Sequence, residues 1–280
     1  ETTALHRFEL SGTLNGLFRA REFHQDDSHI FVGMNQVGEE FQRIIETIEI
    51  FYKAFDLKYK LRFGTRPENF MGEAKDWDIA ERELKVVLDK SGQEYFEAAG
   101  EGAFYGPKID ILMKDSLGRE WQTGTIQLDF QQPKNFKLKY TDSEGKDVQP
   151  AAFHVAIYGS FERFLGILIE NFEGKLPTWL APVQVALLPI ADRHNDYAQS
   201  VAKELEKMGF RAEVDSSPER LQAKIRNATL QHVPFMGIIG DKEIENKAIS
   251  VRKRSSEDLG PISLDQFLAQ LKGEVENKVV

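Results

Sequence analysis

Arg7 and Arg19 flank a small-residue stretch, Ser11-Gly12-Thr13-Leu14-Asn15-Gly16, in the run from His6-Arg7-Phe8-Glu9 to Phe18-Arg19-Ala20-Arg21. Two basic segments joined by a glycine-containing loop predict a hairpin that brings the two guanidiniums together. Paired guanidiniums suit phosphate oxygens, because the planar fork donates two parallel hydrogen bonds and stays charged. Standing alone, the same residues more often form surface ion pairs, here with Glu9 and Glu22. Downstream, period-two alternation in Gln25-Asp26-Asp27-Ser28-His29 sets Gln25, Asp27 and His29 on one face of a strand, with Asp26, Ser28 and Ile30 on the other. A carboxylate beside an imidazole can hold a metal or a polar ligand, although an isolated Asp-x-His is more often a strand end with a satisfied histidine. His154 is distant in sequence but able to converge on His29. Two histidines make an incomplete zinc site, since catalytic zinc usually has three protein ligands and an open position.

Two further segments carry directed polar groups. In Gly100-Glu101-Gly102-Ala103-Phe104-Tyr105-Gly106-Pro107-Lys108 the glycines let backbone approach a ligand, and Tyr105 and Lys108 supply the polar ends. In Gln122-Thr123-Gly124-Thr125-Ile126-Gln127-Leu128-Asp129-Phe130 the two glutamines cannot share a face of the strand without a bulge near Gly124. No Ser-His-Asp order, dinucleotide fingerprint or Walker-type Gly-Lys-Ser/Thr occurs. The chain has no cysteine, so a metal site must use His, Asp or Glu, or borrow a ligand from elsewhere.

These groups need a scaffold. With 280 residues, 41% of them hydrophobic, the chain can build two cores. It carries no apolar run near ~18 residues and no secretion signal, which predicts a soluble, cytoplasmic chain that spans no membrane. The net charge of −9 argues against indiscriminate phosphate binding, which needs a surplus of cations. The basic run Val251-Arg252-Lys253-Arg254 reads by itself as a solvated strand end. A join with two prolines, Pro177 and Pro182, predicts domains over 1–178 and 179–280. The first is read as strands at 18–23, 28–32, 59–63, 95–99, 108–113, 121–130 and 137–140, with helices over 76–90 and 160–171. A third helix buries Val37, Phe41, Ile44, Ile45, Ile48, Phe51 and Phe55. Successive strands predict an antiparallel sheet. The second is read as strands at 183–188, 209–214, 235–239 and 248–252, alternating with helices over 192–207, 219–230 and from Ser263. That is an α/β unit with a mostly parallel sheet, so the chain as a whole is α+β followed by α/β.

In this order the segments resemble threonyl-tRNA synthetases, class II enzymes, from their second class motif through their anticodon-binding domain. His6-Arg7-Phe8-Glu9 through Phe23 looks like motif 2, with its Arg-x-Glu core, loop and strand. The resemblance implies that Arg7 holds the ATP α-phosphate, Glu9 the adenine side and Arg19 the triphosphate, while Phe23 stacks on the base. Arg163 looks like the motif 3 arginine that holds the γ-phosphate. It further implies His29 and His154 as zinc ligands, Asp27 as acceptor of the threonine hydroxyl, and Tyr105, Lys108, Gln122, Gln127 and Ser160 as positions around the substrates. Lys224-Ile225-Arg226, Gly240-Asp241-Lys242-Glu243 and the 251–254 run match the anticodon-binding domain, with Glu243 and Arg252 at base-contacting positions. The implied partners are ATP with Mg²⁺, L-threonine, tRNA(Thr), Zn²⁺ and a second copy in a homodimer.

The match departs from the pattern at named places. Motif 1, the editing domains and the cysteine that is the family's third zinc ligand have no counterpart in these 280 residues. Glu22 and His24 stand where glycine and threonine are usual, Val155 where arginine is, and Pro218 where a polar anticodon contact is often found. Three readings remain: a threonine–tRNA ligase whose upstream half is not represented, a related protein that binds tRNA or threonine without charging, and another class II synthetase such as a prolyl or glycyl type. The Asp27, His29 and His154 set argues against the last.

Overall fold

The computed structural model describes residues 1–279 in two units, Glu1–Asn171 and a second beginning at Phe172. The first unit opens with an antiparallel hairpin of β1 (Thr2–His6) and β2 (Glu22–Asp26), in which Leu5 faces Phe23. The hairpin expected around Arg7 is present, but the returning strand is Glu22–Asp26 and not 18–23; residues 8–20 form the loop. The chain then leaves this pair at Asp27. β3 (Ser28–Val32) belongs to a different, six-stranded sheet, so Gln25, Asp27 and His29 do not lie on one strand as expected.

That sheet also contains β4 (Lys60–Gly64), β5 (Tyr95–Ala98), β6 (Lys108–Lys114), β7 (Glu120–Asp129) and, after the short pair β8 (Tyr140–Thr141) and β9 (Asp147–Val148), β10 (Ala151–Ala156). Its order is β3-β10-β7-β6-β4-β5, antiparallel throughout except that β4 and β5 run parallel. The strand read over 137–140 survives only as the end of the separate β8–β9 ribbon. Alternation gives the sheet two unlike faces. Phe153, Leu128, Ile126, Ile109, Leu61 and Phe63 are buried on one, and Phe153 stacks there on Phe41 of α1 (Val37–Lys53), ring centroids 6.3 Å apart. The buried stripe of α1 runs through Phe41, Ile44, Ile45 and Ile48 to Tyr52, the next position at four-residue spacing, so Phe51, expected inside, is 38% exposed. α2 (Ala74–Ser91) packs beside α1 and buries Trp77, whose indole donates to the Met71 carbonyl at 2.9 Å. A short α3 (Gln131–Asn135) follows β7, and α4 (Phe161–Asn171) sets Phe164 against Phe55 and Tyr158.

The second unit comprises β11 (Val185–Pro189), α5 (Asn195–Lys207), β12 (Ala212–Val214), α6 (Leu221–Leu230), β13 (Phe235–Ile239), α7 (Asp241–Glu245), β14 (Ala248–Lys253), β15 (Asp258–Ser263) and α8 (Leu264–Glu276). The sheet order β12-β11-β13-β14-β15 has parallel pairs among the first three strands and antiparallel pairs among the last three. It is therefore mixed and not mostly parallel. β15 was not anticipated because Gly260-Pro261 reads as a turn; as an edge strand it tolerates a proline that lacks an N–H. Both faces are covered. Leu187, Leu205, Phe235, Val251 and Phe267 form one core, and Leu188, Ile225 and Met236 the other. Ser263 caps α8, its hydroxyl accepting from Gln266 N while the Gln266 side chain receives Ser263 N. No helix among the described residues is long and apolar enough to cross a membrane.

Candidate active site

Sheet register assembles the polar face. His29 on β3 lies opposite His154 on β10, His154 opposite Gln127 on β7, and Gln127 opposite Lys108 on β6. Directly paired residues share a face, so these four side chains form one row across four strands. The imidazoles of His29 and His154 meet edge to face, centroids 4.7 Å apart, and the Tyr105 ring lies 5.8 Å from that of His154. The Tyr105 hydroxyl donates to Gln127 Oε1; burial, then the Asp129 and Asp27 charges, raise its pKa above the ordinary value. His154 Nε2 sits 2.9 Å from Oδ2 of the fully buried Asp129. Asp129 Oδ1 meanwhile accepts the backbone N–H groups of Gln131 and Gln132. A carboxylate can only accept, so the imidazole proton resides on Nε2 and the Nδ1 lone pair is left available.

The expected bulge is present. Register shifts between Asp110 and Leu112, so that Thr123 and Gly124 together oppose Ile111, and Gln122 comes onto the face of Thr125 and Gln127. Only glycine fits at 124: a Cβ would stand 2.4 Å from the Ile157 carbonyl oxygen and 2.5 Å from that of Ala156. Gly159, with φ +70°, turns the chain into α4 so closely that a Cβ would reach 1.9 Å from the Thr123 oxygen.

A cavity of about 170 Å³ lies beside the row and is lined by Arg7, Glu9, Arg19, Phe23, Gln122, Gln127, Ser160 and Arg163, among others. Arg163 is held by backbone: Nε donates to the Phe18 carbonyl at 2.8 Å and Nη1 to that of Gln122 at 2.6 Å. Its guanidinium also lies 5.3 Å from the Trp121 ring centroid, and the indole is fixed by a 2.8 Å bond to Asp115. Burial lowers the Arg163 pKa, and the nearby Arg19 and Arg7 cations lower it further. Like charges crowded in a partly desolvated pocket favour an anionic ligand. Arg7 lies over the ring of the buried Phe23 at 5.1 Å. Ser160 Oγ accepts Arg163 N at 3.2 Å and donates to Glu162 at 2.9 Å. Two acidic residues not singled out from sequence tie the hairpin to the sheet and to α4. Asp26 accepts the N–H groups of Ile157 and Tyr158, and Glu162 accepts both the N–H and the ring of His24.

Glu22 and Val155 both lie outside the cavity lining. Glu22 is exposed and lies 3.5 Å from His6, and Val155 is buried between Ser28 and Ile126. Asp27 lies at the junction of β2 and β3, outside the cavity lining but near enough to Tyr105 for its charge to act on that hydroxyl, and its carboxylate has no hydrogen-bond or ion-pair partner among the described residues. As a metal site the donor set is partial. His29 and His154 offer two imidazoles, and among the described residues no group of three or more His, Asp or Glu is placed to hold an ion.

In the second unit, Glu243 Oε2 accepts Gly240 N at 2.9 Å and Oε1 accepts the Ser250 hydroxyl at 2.8 Å, which fastens α7 to β14. Arg252 follows Ser250 on the same face of β14 and has no side-chain partner among the described residues. The rest of the basic run has partners within the unit. Val251 is fully buried, Lys253 pairs with Glu257 at 3.1 Å, and Arg254 donates to the carbonyls of Leu176 and His232. Lys224 is likewise buried, its ammonium on the carbonyls of Pro189 and Asp215.

Comparison with known proteins agrees with this architecture. Residues 1–172 match the family model of the tRNA synthetase class II core domain (G, H, P, S and T), and residues 184–274 match the anticodon binding domain. The chain is 49% identical over 280 residues to the threonine–tRNA ligase of Clostridium tetani, a match that covers 100% of this chain and 44% of that protein. It is similar to the crystal structure of the RNA binding domain of threonyl-tRNA synthetase from Cryptosporidium parvum Iowa II, with TM-score 0.92, 39% identity and coverage of 97% of this chain and 69% of that one. A putative threonyl-tRNA synthetase from Aeropyrum pernix aligns with TM-score 0.79 and 31% identity over 98% of this chain and 68% of that one. The chain thus belongs to the class II tRNA synthetases and, among them, to the threonyl-tRNA synthetase family. It spans less than half the length of the curated relatives it matches.

Proposed function

We propose that this chain carries the adenylate-forming site and anticodon-binding unit of a threonine–tRNA ligase, which activates L-threonine with ATP and transfers it to tRNA(Thr). The observation that supports it best is the adjacency of two chemistries: a cationic cavity around Arg7, Arg19 and Arg163, and a polar row of His29, His154, Gln127 and Lys108 beside it. In adenylation the threonine carboxylate attacks the α-phosphorus, the bond to the bridging oxygen breaks and pyrophosphate leaves. No side-chain nucleophile is needed. Arg7 at the α-phosphate and Arg163 at the γ-phosphate stabilise the charge that develops, already held in place before reaction. Arg19 binds the triphosphate of the Mg²⁺-nucleotide, with Glu9, Phe23 and Gln122 around its base and sugar side. The 3′-terminal ribose hydroxyl of tRNA then attacks the acyl carbonyl and AMP departs.

On the amino-acid side, Asp27, Tyr105, Lys108, Gln127 and Ser160 surround threonine. Its isostere valine would leave polar groups unpaired, which is the strong form of rejection. Zn²⁺, held by His29, His154 and a ligand from outside this chain, would supply Lewis-acid binding of the amine and hydroxyl. In the second unit Arg252 reads anticodon base edges, with Glu243 beside it. A homodimer in the cytoplasm goes with this reading. ATP–pyrophosphate exchange on the purified protein tests it: exchange driven by threonine, and not by valine or proline, is expected. A folded protein that binds tRNA yet shows no exchange would point instead to a non-charging relative.

A further inference from the structure

Two residues along each strand from His154, Gln127 and Lys108, and on the same face, lies a second row: Ala156, Thr125, Asp110 and Arg62. Asp110 is fully buried. Its Oδ2 accepts from Arg62 Nε at 3.2 Å and Nη2 at 2.8 Å and lies 3.0 Å from Lys108 Nζ. Oδ1 accepts from Gln122 Nε2 at 2.8 Å and from the Thr125 hydroxyl at 3.0 Å. An ionised carboxylate has no proton to give, so every group facing it must turn a donor inward. Gln122 therefore points its amide nitrogen at Asp110 and its oxygen towards Arg62, 3.5 Å away. Thr125 spends its proton on Asp110 and offers a lone pair to Gln127 Nε2 at 3.3 Å. That leaves the Gln127 oxygen to the Tyr105 hydroxyl. One buried charge decides which end of each neighbouring side chain faces outward.

We propose that Asp110 is the positioning residue of the substrate wall, orienting Lys108 and Gln122 directly and Gln127 and Tyr105 through Thr125, without touching substrate itself. The inference rests on the threonine-activating reading above. A buried acceptor is the efficient device here, because it holds two cations and two neutral donors at once in a region where an unpaired polar group is costly.

The test is a double-variant cycle in threonine-dependent ATP–pyrophosphate exchange. Asp110→Asn keeps the shape and loses the charge, and kcat/KM for threonine is expected to fall about 100-fold, as misplacement of positioning groups does. Lys108→Met should cost a comparable factor, and the double variant should lie within about 3-fold of the worse single, since both act through one group. Losses that multiply, or an Asp110→Asn protein within about 3-fold of the parent, overturn the proposal. Thr125→Val, which keeps the volume, removes one of the four donors to Asp110 and cuts the Gln127 arm while leaving Lys108 and Gln122 on the carboxylate, should raise the KM for threonine roughly tenfold and leave that for ATP unchanged. Equal shifts in both would contradict it. Crystal structures of the variants give a readout independent of activity. Gln122 and Lys108 displaced in Asp110→Asn, or a reversed Gln127 amide in Thr125→Val, are expected even if the parent protein shows no exchange, whereas unmoved side chains overturn the proposal. Absence of exchange by the parent counts only against the functional reading.

Discussion

In the first unit the groups around the cavity come from positions as far apart as Arg7 and Arg163, on the hairpin loop, β7 and α4, and the polar row beside them exists only because strands β3, β10, β7 and β6 lie in one register. In the second, Glu243, Ser250 and Arg252 lie along one short α7–β14 stretch, and local hydrogen bonds fix the first two. The first arrangement makes a desolvated pocket possible, since a sheet face can crowd cations and carboxylates on a rigid floor. The second leaves Arg252 on a mixed sheet without a side-chain partner among the described residues. Rows across a sheet are also fragile in a particular way. A shift of one residue turns every member to the other face, and the bulge at Gly124 is what admits Gln122 to the row side.

Substitutions that strike one unit should leave the other's function intact, and the largest effects belong to the cavity. Arg163→Ala is expected to lower exchange by about 10²–10³-fold, the scale of losing one preorganised charge-stabilising donor, while tRNA binding by the second unit persists. A smaller loss measured by single-turnover kinetics would mean that the cationic cavity is not where charge develops. Next, His154→Ala should raise the KM for threonine about 10–100-fold with little change for ATP, in line with the effect of disturbing a metal ligand shell. Equal changes in both constants would merge the row and the cavity into one indivisible site.

Arg252→Ala should weaken tRNA(Thr) binding by ~1–3 kcal/mol, as loss of a base-reading arginine does, with exchange unaltered. Reduced exchange would break the division of labour. The smallest expected effect concerns the frame that carries Glu243. Arg193, then His194, hold the Asp241 carboxyl far below the usual carboxylate range. A depressed pKa stabilises the fold above the unfolded value of ~3.9, and that stability is lost as pH falls towards the folded value. Asp241→Asn should therefore lower Tm modestly at neutral pH, and the gap between variant and parent should close as the pH drops below about 4. A gap that stays constant with pH would exclude the ion pair as its source.

The same contrast governs what can be read from the chain. The second unit follows local periodicity: β11, α5, α6, β13, β14 and α8 lie within a few residues of their expected places, whereas the short α7 and β15, with Pro261 inside it, escaped. In the first unit the motifs, the long buried helix and the need for a bulge near Gly124 were legible. That His154 could converge on His29 was also read, but the register that pairs them was not, because pairing between positions 29 and 154 is a property of the closed sheet and leaves no local trace. Asp110 and Asp129 were not singled out from sequence. The available signal was their i, i+2 spacing from Lys108 and Gln127, which marks a shared face. The 251–254 run shows the opposite case: a basic run looks uniform in sequence, while the fold places Lys253 on Glu257 and Arg254 on backbone carbonyls.

The most direct test of the account is a crystal structure of the protein with a non-hydrolysable threonyl-adenylate analogue. The account predicts the phosphate mimic against Arg7, its adenine on the Phe23 side of the cavity, and the threonyl amine and hydroxyl over His29, His154 and Gln127. An analogue bound away from this row, or one that contacts Arg7 while its threonyl group leaves the histidine pair untouched, would contradict it.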